Sequence, residues 1–136
     1  MRKITLIIIH CSGVKPGQYS SARQIDRWHR SLGWQGIGYH YVVRRDGSIE
    51  YGRPEQQAGS HCKEHNKHSI GICYEGGLDS KGNPADTRTK EQKNTLLALI
   101  KDLKLRYPKA LVLGHHDLNK HKACPCFEAR AEYEGI

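Results

Sequence analysis

The chain has 136 residues and a formal net charge of +8 at pH 7. This length predicts one domain, residues 1–136, that is large enough to bury a hydrophobic core without disulfides. The positive charge indicates an anionic partner such as a nucleic acid, a membrane surface or an acidic cell-wall polymer. Aromatic residues make up only 7% of the chain, which argues against a surface that stacks nucleic-acid bases.

The cysteines and the N-terminal residues indicate the compartment in which the protein is made. Five cysteines are an odd number, and their spacing does not match a disulfide framework, so reduced thiols and synthesis in a reducing cytoplasm are expected. The apolar run at residues 4–9 is too short to cross a membrane and has no small-residue cleavage site. We therefore expect no signal peptide and no membrane insertion. The protein would then need other proteins to reach any target outside the cytoplasm.

The first third of the chain predicts a strand followed by a helix. Residues 4–9 are continuously apolar, as expected of a strand that is covered on both faces. A loop rich in Gly, Pro and Ser follows, and residues 21–24 have the pattern of a helix capping box. The helix is expected to stop near Gly33 and to bury one face, formed by Ala22, Ile25, Trp28 and Leu32.

The middle of the chain predicts a hairpin and a further strand. Asp46-Gly47 separates residues 39–43 from residues 48–51, and this dipeptide between two strand-like runs is a strong hairpin signal. Residues 57–67 are polar and rich in His, which indicates a surface loop. Residues 69–74 are apolar and predict another strand.

The last third predicts a long helix, a strand and a short helical tail. Residues 89–92 form a second capping box, an apolar face continues to Tyr107, and Pro108 ends the helix. A strand at 110–113 and a short helix within 127–133 complete the pattern. Helices that alternate with strands, one pair of which forms a hairpin, predict an α/β fold with a central mixed β-sheet flanked by helices.

Two of the predicted strands end in histidine. His10 directly follows residues 4–9, and His115-His116 follow residues 110–113, with Lys122 and Cys124 shortly afterwards. Imidazole nitrogen and cysteine thiolate are the ligands that zinc prefers in proteins. We therefore expect the two strand ends to lie side by side and to form a zinc site, although spacing alone does not select the ligands among nine His and five Cys.

Several short motifs, in a constant order, resemble one enzyme family. They span nearly the whole chain and are Ile9-His10-Cys11-Ser12, Trp28-His29, Gly38-Tyr39-His40-Tyr41, Arg45-Asp46-Gly47, Ala58-Gly59-Ser60-His61, Asn66-x-x-Ser69-Ile70-Gly71-Ile72, Gly114-His115-His116-Asp117 and Lys122-Ala123-Cys124-Pro125. The chain resembles the zinc-dependent N-acetylmuramoyl-L-alanine amidases, which include the phage amidases called lysozymes and the peptidoglycan recognition proteins. Lys122, where many recognition proteins carry Thr, makes the phage branch the better match.

The resemblance implies a fold, an activity and a site. It implies a peptidoglycan recognition protein-like domain that hydrolyses the amide bond between N-acetylmuramic acid and L-alanine in peptidoglycan. It also implies one Zn²⁺ per chain, which activates a water molecule, and three kinds of residue around it. These are the zinc ligands His10, His115 and Cys124, the catalytic residues Tyr39 and Lys122, and the substrate-binding residues His61 and Asn66.

Other interpretations of the same residues stay open at this point. A closed structural zinc site could use His115, His121, Cys124 and Cys126, although its C-x-C spacing is atypical of such sites. A noncatalytic peptidoglycan receptor is a second possible function, but such receptors usually lack the Cys ligand. A regulator that binds a polymerase or nucleic acid is compatible with the charge, but no motif supports it. We expect a monomer.

Overall fold

The computed structural model describes residues 2–136 and contains one five-stranded β-sheet. In chain order the strands are β1 (Leu6–Cys11), β2 (Tyr41–Val43), β3 (Ile49–Tyr51), β4 (Ser69–Tyr74) and β5 (Leu111–Gly114). In space their order is β3-β2-β4-β1-β5. The β2–β3 pair is antiparallel and the other neighbours are parallel, so the sheet is mixed. The predicted fold class and the predicted hairpin are confirmed.

The pairing of β1 with β5 positions the two strand-end histidines. In this parallel pair Ile9 lies opposite Gly114, so the next residue on each strand is a histidine, His10 on β1 and His115 after β5. The carboxyl ends of parallel strands meet at one edge of a sheet, which is the edge where ligands bind in open α/β folds. The expectation that these two histidines lie side by side is confirmed.

Within residues 2–136, four α-helices surround the sheet: α1 (Ala22–Ser31), α2 (Lys90–Arg106), α3 (His115–Leu118) and α4 (Ala129–Glu132). Both predicted capping boxes are present, with Ser21 bonded to Gln24 and Thr89 bonded to Gln92. A short 3-10 helix, Asn66–His68, precedes β4. No helix in the described part of the chain is both long enough and apolar enough to span a bilayer.

Apolar side chains are buried on both faces of the sheet. On one face, alternate residues of the central strands pack against α2, and this cluster includes Ile7, Ile9, Ile70, Ile72, Leu96, Ile100 and Leu103. On the other face, a smaller cluster lies beneath α1 and contains Ile25, Ile37, Val42 and Cys73. Because successive strand residues point to opposite faces, His10 shares the α1 face with Ile8 and not the α2 face with Ile9.

The predicted buried face of α1 is partly wrong. Trp28 and Leu32 were expected in the core, but 54% and 52% of their surfaces are exposed. The buried positions are Ile25 and His29 instead. His29 takes the inward position because its Nδ1 accepts a hydrogen bond from the Gly38 N–H at 2.8 Å. The buried side of the helix therefore keeps Ile25 but continues through His29 and not through Trp28 and Leu32.

A buried arginine fastens the C-terminal helix to the rest of the domain. The side chain of Arg88 is only 2% exposed and forms ion pairs with Asp86 and with Glu132 of α4. Its guanidinium carbon lies 3.3 Å from the centre of the Phe127 ring. Arg88 thus joins the segment before α2 to the segment that follows the candidate zinc ligands.

Removal of this arginine is expected to destabilise the fold. Arg88→Ala would leave two carboxylates without their partner and a gap above Phe127, so we expect the free energy of unfolding to fall by about 2 to 3 kcal/mol. This is near the low end for a buried ion pair because both carboxylates are partly exposed. Urea unfolding would measure it, with the exposed Arg130→Ala as a control. A loss below about 0.5 kcal/mol in Arg88→Ala, the size expected of an exposed pair, would contradict the assignment.

Candidate active site

Three side chains with metal-binding atoms converge at the carboxyl edge of the sheet. The ligand atoms of His10, His115 and Cys124 all lie within 4.8 Å of one another. His10 is buried, and His115 and Cys124 are partly buried. The rings of His10 and His115 have centroids 4.6 Å apart. With bonds of about 2.0 Å to nitrogen and about 2.3 Å to sulfur, one tetrahedral zinc ion would fit between three such atoms.

Backbone hydrogen bonds bring Cys124 to the two histidines. The N–H of His116 donates to the Cys124 carbonyl at 2.8 Å, which closes the segment between β5 and Cys124 into a compact loop. The N–H of Cys11 donates to Cys124 Sγ at 3.1 Å. These two contacts hold the Cys124 sulfur close to β1 and β5. Neither contact was expected from the sequence, because backbone donors have no sequence signature.

His61 lies directly against His10. His10 Nε2 and His61 Nδ1 are 2.8 Å apart, and His61 Nε2 lies 3.2 Å from the hydroxyl of Ser69. The sequence and its family resemblance suggested only a substrate-binding role for His61. The structure instead links it to a candidate metal ligand, in the position where metal-binding histidines commonly find a hydrogen-bond partner.

His10 and His61 are held in their neutral form. Burial, together with the neighbouring His61 and His115, lowers the pKa of His10 well below its ordinary value. Burial also lowers the pKa of His61 to about 3, with smaller effects from His40 and His115. Neutral imidazoles have a free lone pair, which a metal ligand requires.

Asn66 fixes the backbone of the loop that carries His61. Its side-chain oxygen accepts hydrogen bonds from the N–H groups of His61 and Cys62, at 2.9 and 3.0 Å. The same residue lines the cleft described next. Asn66 therefore holds the loop in place, and its amide also lies where a substrate could contact it.

A cleft of about 400 Å³ is lined by one of the three candidate ligands, His115, and by His61, the neighbour of His10. Its floor and walls combine imidazole, amide, ammonium and indole groups, from Trp34, Ser60, His61, Cys62, Lys63, Asn66, His115, Asn119 and Lys122. Lys122 is exposed and follows a turn in which its N–H donates to the Asn119 carbonyl. The structure thus brings the predicted residues His61, Asn66, His115 and Lys122 to one cleft. Trp34 was not predicted as part of it.

Tyr39 lies beside His10 on the α1 face of the sheet, but it lines a separate cavity with Ser12, Ile25 and Trp28 and not the cleft. Its ring centroid is 5.1 Å from that of His10. Burial raises the pKa of Tyr39 well above its ordinary value, and the neighbouring thiols Cys73, Cys124 and Cys11 add to the effect. The phenol is therefore protonated at neutral pH and can act as a hydrogen-bond donor.

The other His and Cys residues that follow β5 do not belong to the group formed by His10, His115 and Cys124. His121 is exposed, and Cys126 Sγ donates to the Gly77 carbonyl at 3.3 Å. The ring of His116 faces two carboxylates, with Nε2 3.4 Å from Glu128 and 3.7 Å from Asp117. The geometry therefore favours the open trio over a closed structural site that includes His121 and Cys126.

His40 lies behind His61 and is held by two backbone groups. Its Nδ1 accepts a hydrogen bond from the Gly71 N–H at 3.0 Å, so Nε2 carries the proton and donates to the Gln57 carbonyl at 2.8 Å. Burial lowers the pKa of His40 below 6.5. Protonation at Nδ1 would break the bond to Gly71.

This arrangement predicts that the protein loses stability in mild acid. Below about pH 6.5 the unfolded chain binds a proton on His40 that the folded chain does not, so the free energy of unfolding falls as the pH falls. The contribution of one such group is at most about 1.4 kcal/mol per pH unit. Urea unfolding at several pH values should show a shallower dependence in His40→Gln. The exposed His121→Gln should keep the slope of the parent, and equal slopes in all three proteins would contradict the prediction.

Comparison with known proteins agrees with this geometry. The sequence profile of the family described as N-acetylmuramoyl-L-alanine amidase matches residues 1–127. The endolysin of Enterobacteria phage K11 is 42% identical over 120 residues, which cover 88% of this chain and 79% of the endolysin.

Solved structures give the same result. The N-acetylmuramoyl-L-alanine amidase LysC from Clostridium intestinale superposes with a TM-score of 0.82 at 30% identity, covering 96% of this chain and 82% of LysC. A mutant of Drosophila PGRP-LB in complex with tracheal cytotoxin superposes with a TM-score of 0.80 at 25% identity, covering 99% and 82%. The resemblance suggested by the motifs is therefore confirmed, and the chain belongs to the N-acetylmuramoyl-L-alanine amidase family.

Proposed function

We propose that this chain is a zinc-dependent N-acetylmuramoyl-L-alanine amidase, with residues 1–136 as one catalytic domain. It would hydrolyse the amide bond between N-acetylmuramic acid and L-alanine in peptidoglycan. The observation that carries the proposal is the group of His10, His115 and Cys124, of which His115 lines a cleft that also contains Lys122. Family membership supports the reaction class, and the donor atoms support the metal.

The three donors fit a catalytic zinc site. Two neutral imidazoles and one thiolate provide three protein ligands, and a catalytic zinc site keeps its fourth position for water or substrate. When bound, Zn²⁺ would lower the pKa of a water molecule to about 7 and polarise the substrate carbonyl. Because His10 Nε2 is occupied by His61, Nδ1 is the nitrogen of His10 that remains available.

The residues around the trio supply the remaining requirements of amide hydrolysis. The ammonium of Lys122 lies in the cleft and would stabilise the negative charge that develops on the carbonyl oxygen. Tyr39, a protonated phenol, would orient the attacking water or assist proton transfer to the leaving amine. His61 would hold His10 in one ring orientation, and Asn66 would hold the loop of His61.

Peptidoglycan as the substrate is supported by two relatives and by charge. The K11 relative is an endolysin, and the PGRP-LB structure contains tracheal cytotoxin. The net charge of +8 favours association with an anionic cell wall. The enzyme would be made in a bacterial or phage-infected cytoplasm as a monomer and would reach the wall after release by other proteins.

A substitution at Tyr39 tests its role. Tyr39→Phe removes only the hydroxyl, so we expect kcat to fall about 10- to 100-fold while the zinc content stays at one per chain. Tyr51→Phe, at an exposed tyrosine of β3, is the matched control and should keep the parent rate. Parent-like turnover in Tyr39→Phe would remove the hydroxyl from the mechanism.

The proposed function is tested with purified peptidoglycan. The protein, before and after chelation of zinc, is incubated with the polymer, and new L-alanine N-termini and new reducing sugar ends are both quantified. We expect zinc-dependent release of N-terminal alanine without new reducing ends. New reducing ends would indicate a glycosidase, and zinc-dependent binding without release would indicate a receptor.

A further inference from the structure

Two cysteines that the proposed mechanism does not use lie in contact with each other. Cys11 is the last residue of β1, and Cys126 lies in the turn after Cys124 and Pro125. Their Sγ atoms are 3.9 Å apart, and both residues are partly buried. The remaining thiols differ in their surroundings, because Cys124 belongs to the candidate metal trio and Cys62 and Cys73 are buried.

The backbone around the pair fixes this approach. A Cβ atom added to Gly77 would lie 2.5 Å from Cys11 Sγ, so the sulfur is packed closely against that glycine. Cys126 Sγ donates to the carbonyl of the same Gly77 at 3.3 Å. Cys126 also has a φ of +69°, a conformation that few residues other than glycine adopt. Both thiols are thus held against one residue and face each other.

To form a disulfide, the two Sγ atoms would have to approach from 3.9 Å to the bond length of about 2.05 Å. Cys124 is the alternative partner for Cys11, since the Cys11 N–H contacts its sulfur. A disulfide between Cys11 and Cys124 would require the Cys124 sulfur to leave the metal, so Cys126 is the partner that is compatible with retention of zinc.

We propose that Cys11 and Cys126 are an oxidisable dithiol that closes to an intramolecular disulfide when the protein meets a disulfide oxidant. Hydrogen bonds to neighbouring thiols, together with burial, raise the pKa of both Cys11 and Cys126, so only a small fraction of either thiol is ionised and the reaction is slow. The cysteine that has lost its proton attacks the oxidant, forms a mixed disulfide with it and releases one reduced thiol. The second cysteine of the pair then attacks the mixed disulfide and releases the other. Two thiols of the protein are oxidised, one disulfide of the oxidant is reduced to two thiols, and the protons pass to solvent and to the released thiolates.

The location of the pair determines what the bond would do. Cys11 follows His10, and Cys126 lies two residues after Cys124, so the disulfide would join the two segments that carry candidate zinc ligands. It would close a loop across 115 residues of sequence separation, and long loops gain the most from closure. The inference rests on the proposed function in one respect only: an enzyme that acts on the cell wall would meet the oxidising environment outside the cytoplasm.

The experiment uses zinc-loaded protein and oxidised glutathione at mildly alkaline pH. Free thiols are counted by alkylation under denaturing conditions and intact mass, the linkage is mapped by peptide analysis, and melting temperature is recorded. We expect loss of two of the five thiols, a Cys11–Cys126 linkage with zinc retained, and a melting temperature higher by roughly 5 to 15 °C that is reversed by reduction.

Two variants make the result specific. Cys126→Ser should form no intramolecular disulfide and show no shift, whereas the matched control Cys62→Ala should oxidise as the parent does. Five alkylated thiols in the parent after oxidation, or a Cys11–Cys124 linkage with loss of zinc, would overturn the inference. Alanine release from peptidoglycan is measured on the same samples before oxidation, so failure of the proposed function is recorded separately from failure of the dithiol.

Discussion

Replacement of Cys124 with serine is expected to remove bound zinc and to lower the amidase rate by at least on the order of 10³. Serine is nearly isosteric, but its hydroxyl is neutral at pH 7 and is a poor ligand compared with a thiolate. The site would keep only two imidazole ligands, and zinc bound by two ligands would be lost during dialysis. Loss of the metal removes both the activated water and the polarised carbonyl, while the fold should survive because the sheet and α2 form a separate core.

The matched control is Cys126→Ser, two residues further along the same turn. It makes the same chemical change outside the trio, so it should keep one zinc per chain and the parent rate. Zinc is measured by elemental analysis after exhaustive dialysis, and activity by the release of N-terminal alanine. If Cys124→Ser kept both its zinc and its rate, Cys124 would not be a ligand. If both variants lost zinc, the ligand set would have to be redrawn to include Cys126.

The elements of the fold were predictable where local chemistry determines them. The capping residues Ser21 and Thr89 mark the starts of α1 and α2, and the Asp46-Gly47 turn marks the hairpin. The strand at residues 69–74 matches β4. The prediction was wrong on the orientation of α1, because the inward position of His29 depends on a hydrogen bond to Gly38, a contact between segments that apolar spacing does not encode.

The candidate site was predictable only in part for a similar reason. Histidines at the ends of two parallel strands could be expected to meet, and the family motif indicated which of them matter. The contact between His61 and His10 depends on a loop held by Asn66, and the contact of Cys11 with Cys124 uses a backbone N–H. Backbone donors and loop conformations follow from the assembled fold, so a single sequence gives little information about them.

Replacement of Lys122 with alanine is expected to lower kcat by about 10²- to 10³-fold while zinc binding is retained. The ammonium lies in the same cleft as His115 and His61, close to where the substrate carbonyl must lie to meet the metal. A positive group that is already in position stabilises the developing oxyanion without reorganisation, and removal of one such donor has costs of this size. KM should change much less than kcat, since the charge on the oxygen is largest in the transition state.

Lys120→Ala is the control that distinguishes oxyanion stabilisation by Lys122 from electrostatic attraction between the positively charged protein and the cell wall. Lys120 is exposed, lies two residues earlier and does not line the cleft, so both variants lose one positive charge from the same turn. If net charge alone mattered, the two variants would lose activity equally, and both losses would disappear at high salt because exposed charges are screened. A loss of kcat confined to Lys122→Ala and persistent in salt assigns the ammonium to the transition state. Equal rates in the two variants would contradict the proposed role of Lys122 in stabilising the oxyanion.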